Sequence, residues 1–314
     1  MERLNKIRGV HTDKIITDLI KPDLILTSDW HLRETQPICR TDDFWEAQWK
    51  KVDWIARLQK WGNCPVIHAG DLFHHWKPSP YLLSTTMEHL PDEFYTIFGQ
   101  HDLPQNSLEL KHKSGIHTLN RAGRVQILPQ GHWGSPMNIP GAWTIKGRNM
   151  YVMHRFTYIG KDPWPGIEAP KGNELLDKYP EFDLIVTGDN HQPFIARGKN
   201  DNLLVNPGCL TRQRASETHE PRVYLWYADK NHVVDAPVPY KKDVITREHI
   251  DRVDEMDERI EAFVSRFKEE WENTLGTSLG GETVSFEENL ERFFESNRVR
   301  QQVKDIIYKA LEND

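Results

Sequence analysis

The sequence has few cysteines and no long apolar run. Cys39, Cys64 and Cys209 are far apart and form no C-x-x-C pair, so we interpret them as buried apolar residues rather than zinc or redox sites. No segment approaches the roughly 18 consecutive apolar residues that a transmembrane helix requires. The first 20 residues lack the apolar core of a signal peptide. We therefore expect a cytoplasmic protein without a membrane partner.

The first 240 residues lack net charge. They hold 28 Lys and Arg against 28 Asp and Glu, so the formal net charge of -7 arises in residues 241–314, with 12 against 19. Together with Pro237 and Pro239, this shift predicts a main domain at 1–240 and a C-terminal region at 241–314. A neutral main domain gives no electrostatic indication of a nucleic-acid partner.

Short apolar runs alternate with amphipathic segments in the main domain, which predicts an α/β fold. The first part follows a β-α-β-α-β order, with strands at 23–28, 65–69 and 94–98. Thr41 is the predicted cap of a helix ending near Gly62, and a second helix is predicted at 79–90. Beyond residue 126, hairpins (143–146 with 149–154, 193–197 with 203–206, 222–228 with 232–235) accompany a buried strand at 183–187. We predict a two-sheet mixed β sandwich flanked by helices.

The C-terminal region carries two amphipathic stripes. Apolar residues recur at helical spacing from Val253 to Trp271 and again from Phe286 to Ala310, with a turn at 276–281. Ser285 and Glu288 form a capping box at the start of the second stripe. The pattern predicts a helical pair, which can either fold back on the main domain or dock on a partner.

Five predicted strands end in short segments rich in Asp and His. These segments are D-W-H at 29–31, G-D at 70–71, G-Q-H-D at 99–102, H at 154 and G-D-N-H at 188–191. Polar residues at the ends of neighbouring strands converge on one rim of an α/β sheet. Two divalent ions about 3.5–4 Å apart require mixed oxygen and imidazole ligands and one shared carboxylate, for which Asp71 on its glycine turn is the natural candidate. Each segment alone is common in proteins, but the set predicts a two-metal hydrolytic site.

In this order the five segments resemble the D-x-H, G-D, G-N-H-D, H and G-H-x-H motifs of calcineurin-like metallophosphoesterases. GDLFHHWKPSP at 70–80 and NPGCLTR at 206–212 resemble segments of the SbcD-type nucleases. Those nucleases act with an SMC-like ATPase of the SbcC type on DNA double-strand breaks. The resemblance implies a metal-dependent exonuclease, with endonuclease activity on single strands, in DNA repair or recombination. A short chain with a reduced C-terminal region would suit a phage or prokaryotic source.

The resemblance also implies a role for each motif residue. The implied metal ligands are Asp29, His31 and His191 for the first ion, Gln100, His154 and Asp189 for the second, and Asp71 as the bridge. His101 would be the general acid with Asp102 holding its ring, and His74 would help to place the DNA end. Gln100 and Asp189 stand where the family has Asn and His, which makes the second site harder. We therefore expect Mn²⁺, or Mg²⁺ as the alternative, rather than Zn²⁺.

Partners and alternatives follow from the same resemblance. DNA would be the substrate, the chain would form a homodimer, and the C-terminal helical pair would dock on the coiled coil of the ATPase. Arg33, Arg155 and Arg212 follow motif segments and either contact DNA phosphates or are solvated surface residues. Two other functions stay open at this point: a small-molecule phosphodiesterase or phosphatase of the same superfamily, and a non-catalytic scaffold if Gln100 cannot reach the second metal.

Overall fold

The computed structural model describes residues 21–129, 131–135, 143–253, 256, 259, 290–291, 294–295 and 299–312. It divides into two compact units, with the division between Thr246 and Arg247. The strands are β1 (Leu24–Thr27), β2 (Val66–His68), β3 (Phe94–Thr96), β4 (Gln126–Ile127), β5 (Trp143–Ile145), β6 (Arg148–His154), β7 (Leu184–Gly188), β8 (Phe194–Arg197), β9 (Leu203–Asn206), β10 (Arg222–Tyr227) and β11 (His232–Pro237). The helices are α1 (Phe44–Gly62), α2 (Pro80–His89), α3 (Gly115–Arg121), α4 (Gly172–Lys178) and α5 (Gln301–Glu312).

Helix α1 begins at a side chain that satisfies one of its free backbone N–H groups. Asp43 caps α1 by accepting the Glu46 N–H at 2.8 Å, so the prediction that Thr41 is the cap is wrong by two residues. The backbone N–H of Thr41 instead bonds to the Val244 carbonyl at 3.0 Å. The helix ends at Gly62 as predicted, followed by left-handed Asn63.

The strands form two mixed sheets. The first has the order β11-β10-β1-β2-β3-β4, with β1 to β4 parallel and β10 antiparallel to both β1 and β11. The second has the order β5-β6-β7-β9-β8, in which β6, β7 and β9 are parallel. The β-α-β-α-β order and the three antiparallel hairpins are confirmed. The sequence did not predict α3, α4 or the two-residue strand β4.

Apolar side chains from both sheets fill the space between them. Leu26 and Ile67 of the first sheet share a buried cluster with Val152, Val186 and Val205 of the second. The outer face of the first sheet packs against α1, α2 and α3, and that of the second packs against α4. The predicted sandwich with outer helices is therefore confirmed, and the three cysteines are buried and free as expected.

The second unit is described only in part. Leu290 and Phe294 are buried against Ile307 of α5. Most of the first predicted stripe, the turn at 276–281 and the Ser285 and Glu288 capping box lie outside the described residues. Within the described part of the chain, no helix combines the length and apolarity needed to cross a bilayer.

Candidate metal centre

The loops after β1 and β2 stay hydrogen-bonded beyond the ends of their strands. Asp29 N–H donates to the Gly70 carbonyl and His31 N–H donates to the Asp71 carbonyl, both at 3.0 Å. This pairing holds the D-W-H and G-D segments side by side at the carboxyl edge of the sheet. Gly99 packs against Asp71, and only glycine fits there because a Cβ would collide with Asp71 Oδ1.

Asp71 lies between two imidazoles that come from different sheets. Its Oδ2 is 3.7 Å from His31 Nε2 and 3.4 Å from His154 Nε2. Asp71 Oδ2 and His154 Nε2 are both buried and have no hydrogen-bond partner within the described residues. Burial opposes ionisation of Asp71, but attraction to His154 and His31 holds its carboxyl pKa well below the usual range. This anionic oxygen between two ring nitrogens is the arrangement that a bridging metal ligand requires.

His154 has one ring nitrogen fixed and the other turned into the site. Nδ1 lies 2.6 Å from the Ala69 carbonyl, so it carries the proton and leaves Nε2 as the possible ligand atom. In the absence of a cation, burial lowers the pKa of His154, but attraction to Asp71, Asp29 and Asp189 outweighs it and raises the pKa to about 10. A cation bound at Nε2 would take the place of the proton that this nitrogen otherwise carries.

The residues predicted for the first metal form a second group around His31. Its Nε2 lies 3.1 Å from His191 Nε2 and 3.9 Å from Asp29 Oδ1. Burial holds the pKa of His31 well below its ordinary value, which keeps the ring neutral and able to bind a cation. Asp29, His31 and His191 each offer a donor atom within 4.8 Å of the others, as do Asp29, Asp71 and His154. These two groups of donors fit two neighbouring divalent cations.

Gln100 and Asp189, which depart from the family motif, contact each other. Gln100 Nε2 donates to Asp189 Oδ1 at 2.7 Å, and this leaves Gln100 Oε1 buried without a hydrogen-bond partner among the described residues. Asp189 N–H in turn donates to Asp29 Oδ1 at 3.1 Å. The pair therefore adjoins the Asp29 carboxylate, but Asp189 is not among the described His, Cys, Asp and Glu residues whose donor atoms group within 4.8 Å.

The structure places His101 and His74 beside the same cluster. The His101 ring lies 4.8 Å from the His31 ring and 5.6 Å from the His74 ring, between centroids. His101 Nδ1 lies 2.9 Å from the His74 carbonyl, so Nδ1 carries a proton and Nε2 is the atom left for chemistry. His31, His74 and His101 also have nitrogens within 4.8 Å of one another.

Asp102 does not hold the His101 ring, so that prediction is wrong. Its buried carboxylate accepts the backbone N–H groups of Asp71 at 2.8 Å, Phe73 at 3.1 Å and Gly99 at 3.0 Å. Burial and repulsion from Asp71 raise the pKa of Asp102 to about 8, against the effect of these donors. Asp102 therefore shapes the loop that carries Asp71 and does not orient the histidine that precedes it in sequence.

Several predicted ligands have left-handed backbone conformations that residues with a Cβ rarely adopt. The φ angles are 51° at Asp29, 46° at His31, 57° at Asp71 and 79° at Asp189. Each such conformation costs on the order of 1–3 kcal/mol and persists only where the surrounding structure imposes it. Their concentration on one rim marks this rim as a functional site independently of the motif.

The three arginines predicted to contact DNA lie in different environments. Arg155 is exposed, and Arg33 donates to Thr35 Oγ1 at 2.8 Å and to Gln213 Oε1 at 3.4 Å. Arg212 is only 8% exposed and donates to the Lys241 and Lys242 carbonyls at 3.0 Å. Contact of these arginines with phosphate stays a prediction.

Sequence reasoning missed Glu217, a buried carboxylate behind the site. Its Oε1 lies 2.5 Å from His191 Nδ1, on the side of the ring away from His31. The only signal in the sequence was weak: an acidic residue five positions after the N-P-G-C-L-T-R segment. Glu217 lies 26 positions after its partner, in a segment without motif residues.

One family model matches this chain, and several solved structures are similar to it. The family model described as calcineurin-like phosphoesterase matches residues 23–265. No curated protein matches the sequence. Similar solved structures include an archaeal phosphodiesterase, with 14% identity over 68% of this chain and 99% of that chain and a TM-score of 0.41. A zinc complex of Vps29 from Entamoeba histolytica has 15% identity over 67% and 88%, with a TM-score of 0.36. A metallophosphoesterase from Sphaerobacter thermophilus has 16% identity over 69% and 89%, with a TM-score of 0.34.

The family match covers the whole sandwich and every residue of the candidate metal centre. The protein therefore belongs to the calcineurin-like phosphoesterases, a family of metal-dependent phosphoester hydrolases.

Proposed function

We propose that this protein is a DNA nuclease dependent on Mn²⁺, with Mg²⁺ as the alternative, and the SbcD-like subunit of a complex with an SMC-like ATPase. The observation that carries the nuclease assignment is the position of His74. It comes from GDLFHHWKPSP, the segment that resembles the nuclease branch of the family, and its ring lies 5.9 Å from that of His31. The distinctive segment is thus part of the centre and not a distant surface loop.

The residues that would hold the ions are the seven predicted ligands, five of which lie in the two donor groups. Asp29, His31 and His191 would hold one, Gln100, His154 and Asp189 the other, and Asp71 would contact both. Two divalent ions bound there would polarise the phosphate and supply a nucleophile near neutral pH. The carboxylate and amide oxygens around the second position favour a hard cation, which supports Mn²⁺ or Mg²⁺ over Zn²⁺.

His101 is suited to donate a proton to the leaving oxygen. Its Nδ1–H is bonded to the His74 carbonyl at 2.9 Å, so Nε2 is the atom that would carry the transferable proton. Its backbone N–H donates to Asp71 Oδ1 at 2.9 Å, which fixes the position of the ring relative to the bridging carboxylate. General acids placed in this way contribute typically 10²–10⁴-fold to a rate.

Docking of the ATPase would use the C-terminal region. Val253 and Met256 of the first stripe are 55% and 52% exposed, and an acidic region suits a basic coiled coil. In this proposal the substrate is DNA, and the nuclease acts as a homodimer in double-strand-break processing.

The test is degradation of linear duplex DNA, single-stranded DNA and bis-p-nitrophenyl phosphate by purified protein with Mn²⁺. We expect both DNAs to be degraded, and we expect chelation or Asp71→Asn to abolish the activity. Asp177→Asn serves as the matched control, since this exposed acid pairs only with Lys199 at 3.0 Å among the described residues. Hydrolysis of the small ester alone would indicate a small-molecule phosphodiesterase, and inertness on all three with tight partner binding would indicate a scaffold.

A further inference from the structure

A buried carboxylate links the loop after β9 to the metal centre. Glu217 has a side chain that is 4% exposed, and its Oε1 lies 2.5 Å from His191 Nδ1. Its Oε2 accepts the backbone N–H of Gln213 at 2.5 Å and that of Arg214 at 3.1 Å. Both carboxylate oxygens are therefore occupied, one by the ring and one by the turn at 213–217.

The same turn reaches the other histidine of this group. Gln213 Nε2 donates to the His31 carbonyl at 3.0 Å, while His31 Nε2 lies 3.1 Å from His191 Nε2. Because Glu217 Oε2 already accepts two backbone N–H groups, Oε1 is the oxygen that accepts from the His191 ring. This bond selects the His191 form with hydrogen on Nδ1 and directs Nε2 toward His31.

We propose that Glu217 is a positioning residue for one of the two metal sites, the one built from Asp29, His31 and His191. It fixes the orientation and tautomer of His191, so that Nε2 presents a lone pair to the cation. His154 of the second site has its ring oriented by the Ala69 carbonyl, at 2.6 Å from Nδ1, and not by Glu217. Loss of Glu217 should therefore weaken one site selectively. The inference rests on the proposed metal ligands and not on DNA as the substrate.

A glutamine at position 217 separates this role from a purely structural one. The side-chain oxygen of this glutamine would still accept the Gln213 and Arg214 N–H groups. Its NH₂ group would then face His191 Nδ1 and donate a hydrogen bond to it, so Nδ1 could not carry a proton. A neutral His191 would consequently carry its proton on Nε2, the ligand atom. Glu217→Gln thus preserves the turn but gives His191 the wrong tautomer, whereas Glu217→Asp keeps the charge.

The test measures Mn²⁺ binding without nucleic acid, by following the electron paramagnetic resonance signal of free Mn²⁺ during titration. We expect the wild type to bind two ions, and we expect Glu217→Gln to bind one of them about 10–100-fold more weakly, with the other changed by less than about threefold. Glu217→Asp should recover part of the loss. The matched control is Asp53→Asn, since the Asp53 carboxylate lies 2.6 Å from His89 Nδ1 in a pair outside the centre. Asp53→Asn should leave the Mn²⁺ affinity of both sites unchanged.

Equal weakening of both sites, or of neither, would overturn the proposal. Circular dichroism of each variant would reveal a folding defect. If Glu217→Gln does not fold, the Mn²⁺ affinities of Glu217→Asp and of the wild type are compared instead. Two bound ions with the expected selective loss, but no degradation of DNA, would leave this inference standing and reject the proposed nuclease. A wild type that binds no Mn²⁺ would reject both.

Discussion

Replacement of His101 by alanine should remove a proton donor without removing a metal ligand. The ring makes its hydrogen bond through Nδ1 to the His74 carbonyl, at 2.9 Å. The contact with the bridging carboxylate comes from the His101 backbone N–H, at 2.9 Å from Asp71 Oδ1, and alanine keeps this group. We therefore expect His101→Ala to bind two Mn²⁺ ions with wild-type affinity while losing most of its turnover of DNA.

The size of the loss depends on the leaving group. A sugar alkoxide needs a proton as it departs, so the loss on DNA should be about 10²–10⁴-fold in kcat, equivalent to about 3–5 kcal/mol. p-Nitrophenolate is stable without a proton, so we expect less than about tenfold loss on bis-p-nitrophenyl phosphate. The assay compares the two substrates at saturating Mn²⁺, with metal content measured on the same preparation.

Two results would refute this reasoning. If metal binding falls together with turnover, His101 is a ligand, as the approach of nitrogens from His31, His74 and His101 within 4.8 Å would permit. If kcat falls equally on DNA and on the small ester, protonation of the leaving oxygen is not its role. His112→Ala is the control, because among the described residues this exposed histidine hydrogen-bonds only to the nearby Glu109 carbonyl, at 3.2 Å.

Three further predictions concern the centre and the core beside it. Asp71→Asn should abolish binding of both Mn²⁺ ions in the titration described above, since its carboxylate lies against both imidazole groups; retention of either ion would contradict the bridge. His74→Ala should reduce degradation of duplex ends more than cleavage of single strands, and an equal loss on both DNAs would count against placement of the end. Burial lowers the pKa of Lys51 from 10.5 to about 7, so the unfolded chain binds more protons between these values and the free energy of unfolding should rise with pH across that window. The full rise is about 5 kcal/mol, and denaturant titrations from pH 7 to 10 should show it in wild type but not in Lys51→Met.

The parts of the fold that could be predicted are those with a local signal. Apolar runs of strand length and helical periodicity identified nearly every long element of the sandwich, because burial on one or both faces imposes these periods. The helix α4 (Gly172–Lys178) was missed because seven residues give too short a pattern. The two-residue strand β4 owes its pairing to its neighbour Thr96 and leaves no pattern of its own.

The candidate site shows the same division. The common rim could be predicted from the motifs, because they follow strands whose carboxyl ends meet at the same edge of a sheet. Hydrogen-bond partners could not be predicted in this way. Adjacency to His101 suggested that Asp102 supports the ring, but Asp102 is turned inward, where unpaired N–H groups of the loop after β2 need an acceptor. Glu217 meets His191 only through the tertiary fold.

The left-handed residues of the rim have a thermodynamic consequence. Asp29, His31, Asp71 and Asp189 each hold a strained backbone, and glycine at any of them would relax that strain and leave no side chain to bind a cation. Such replacements should raise melting temperature relative to alanine at the same position. At these four positions a higher melting temperature and a metal-binding side chain thus exclude each other. Selection for stability alone would replace the ligands.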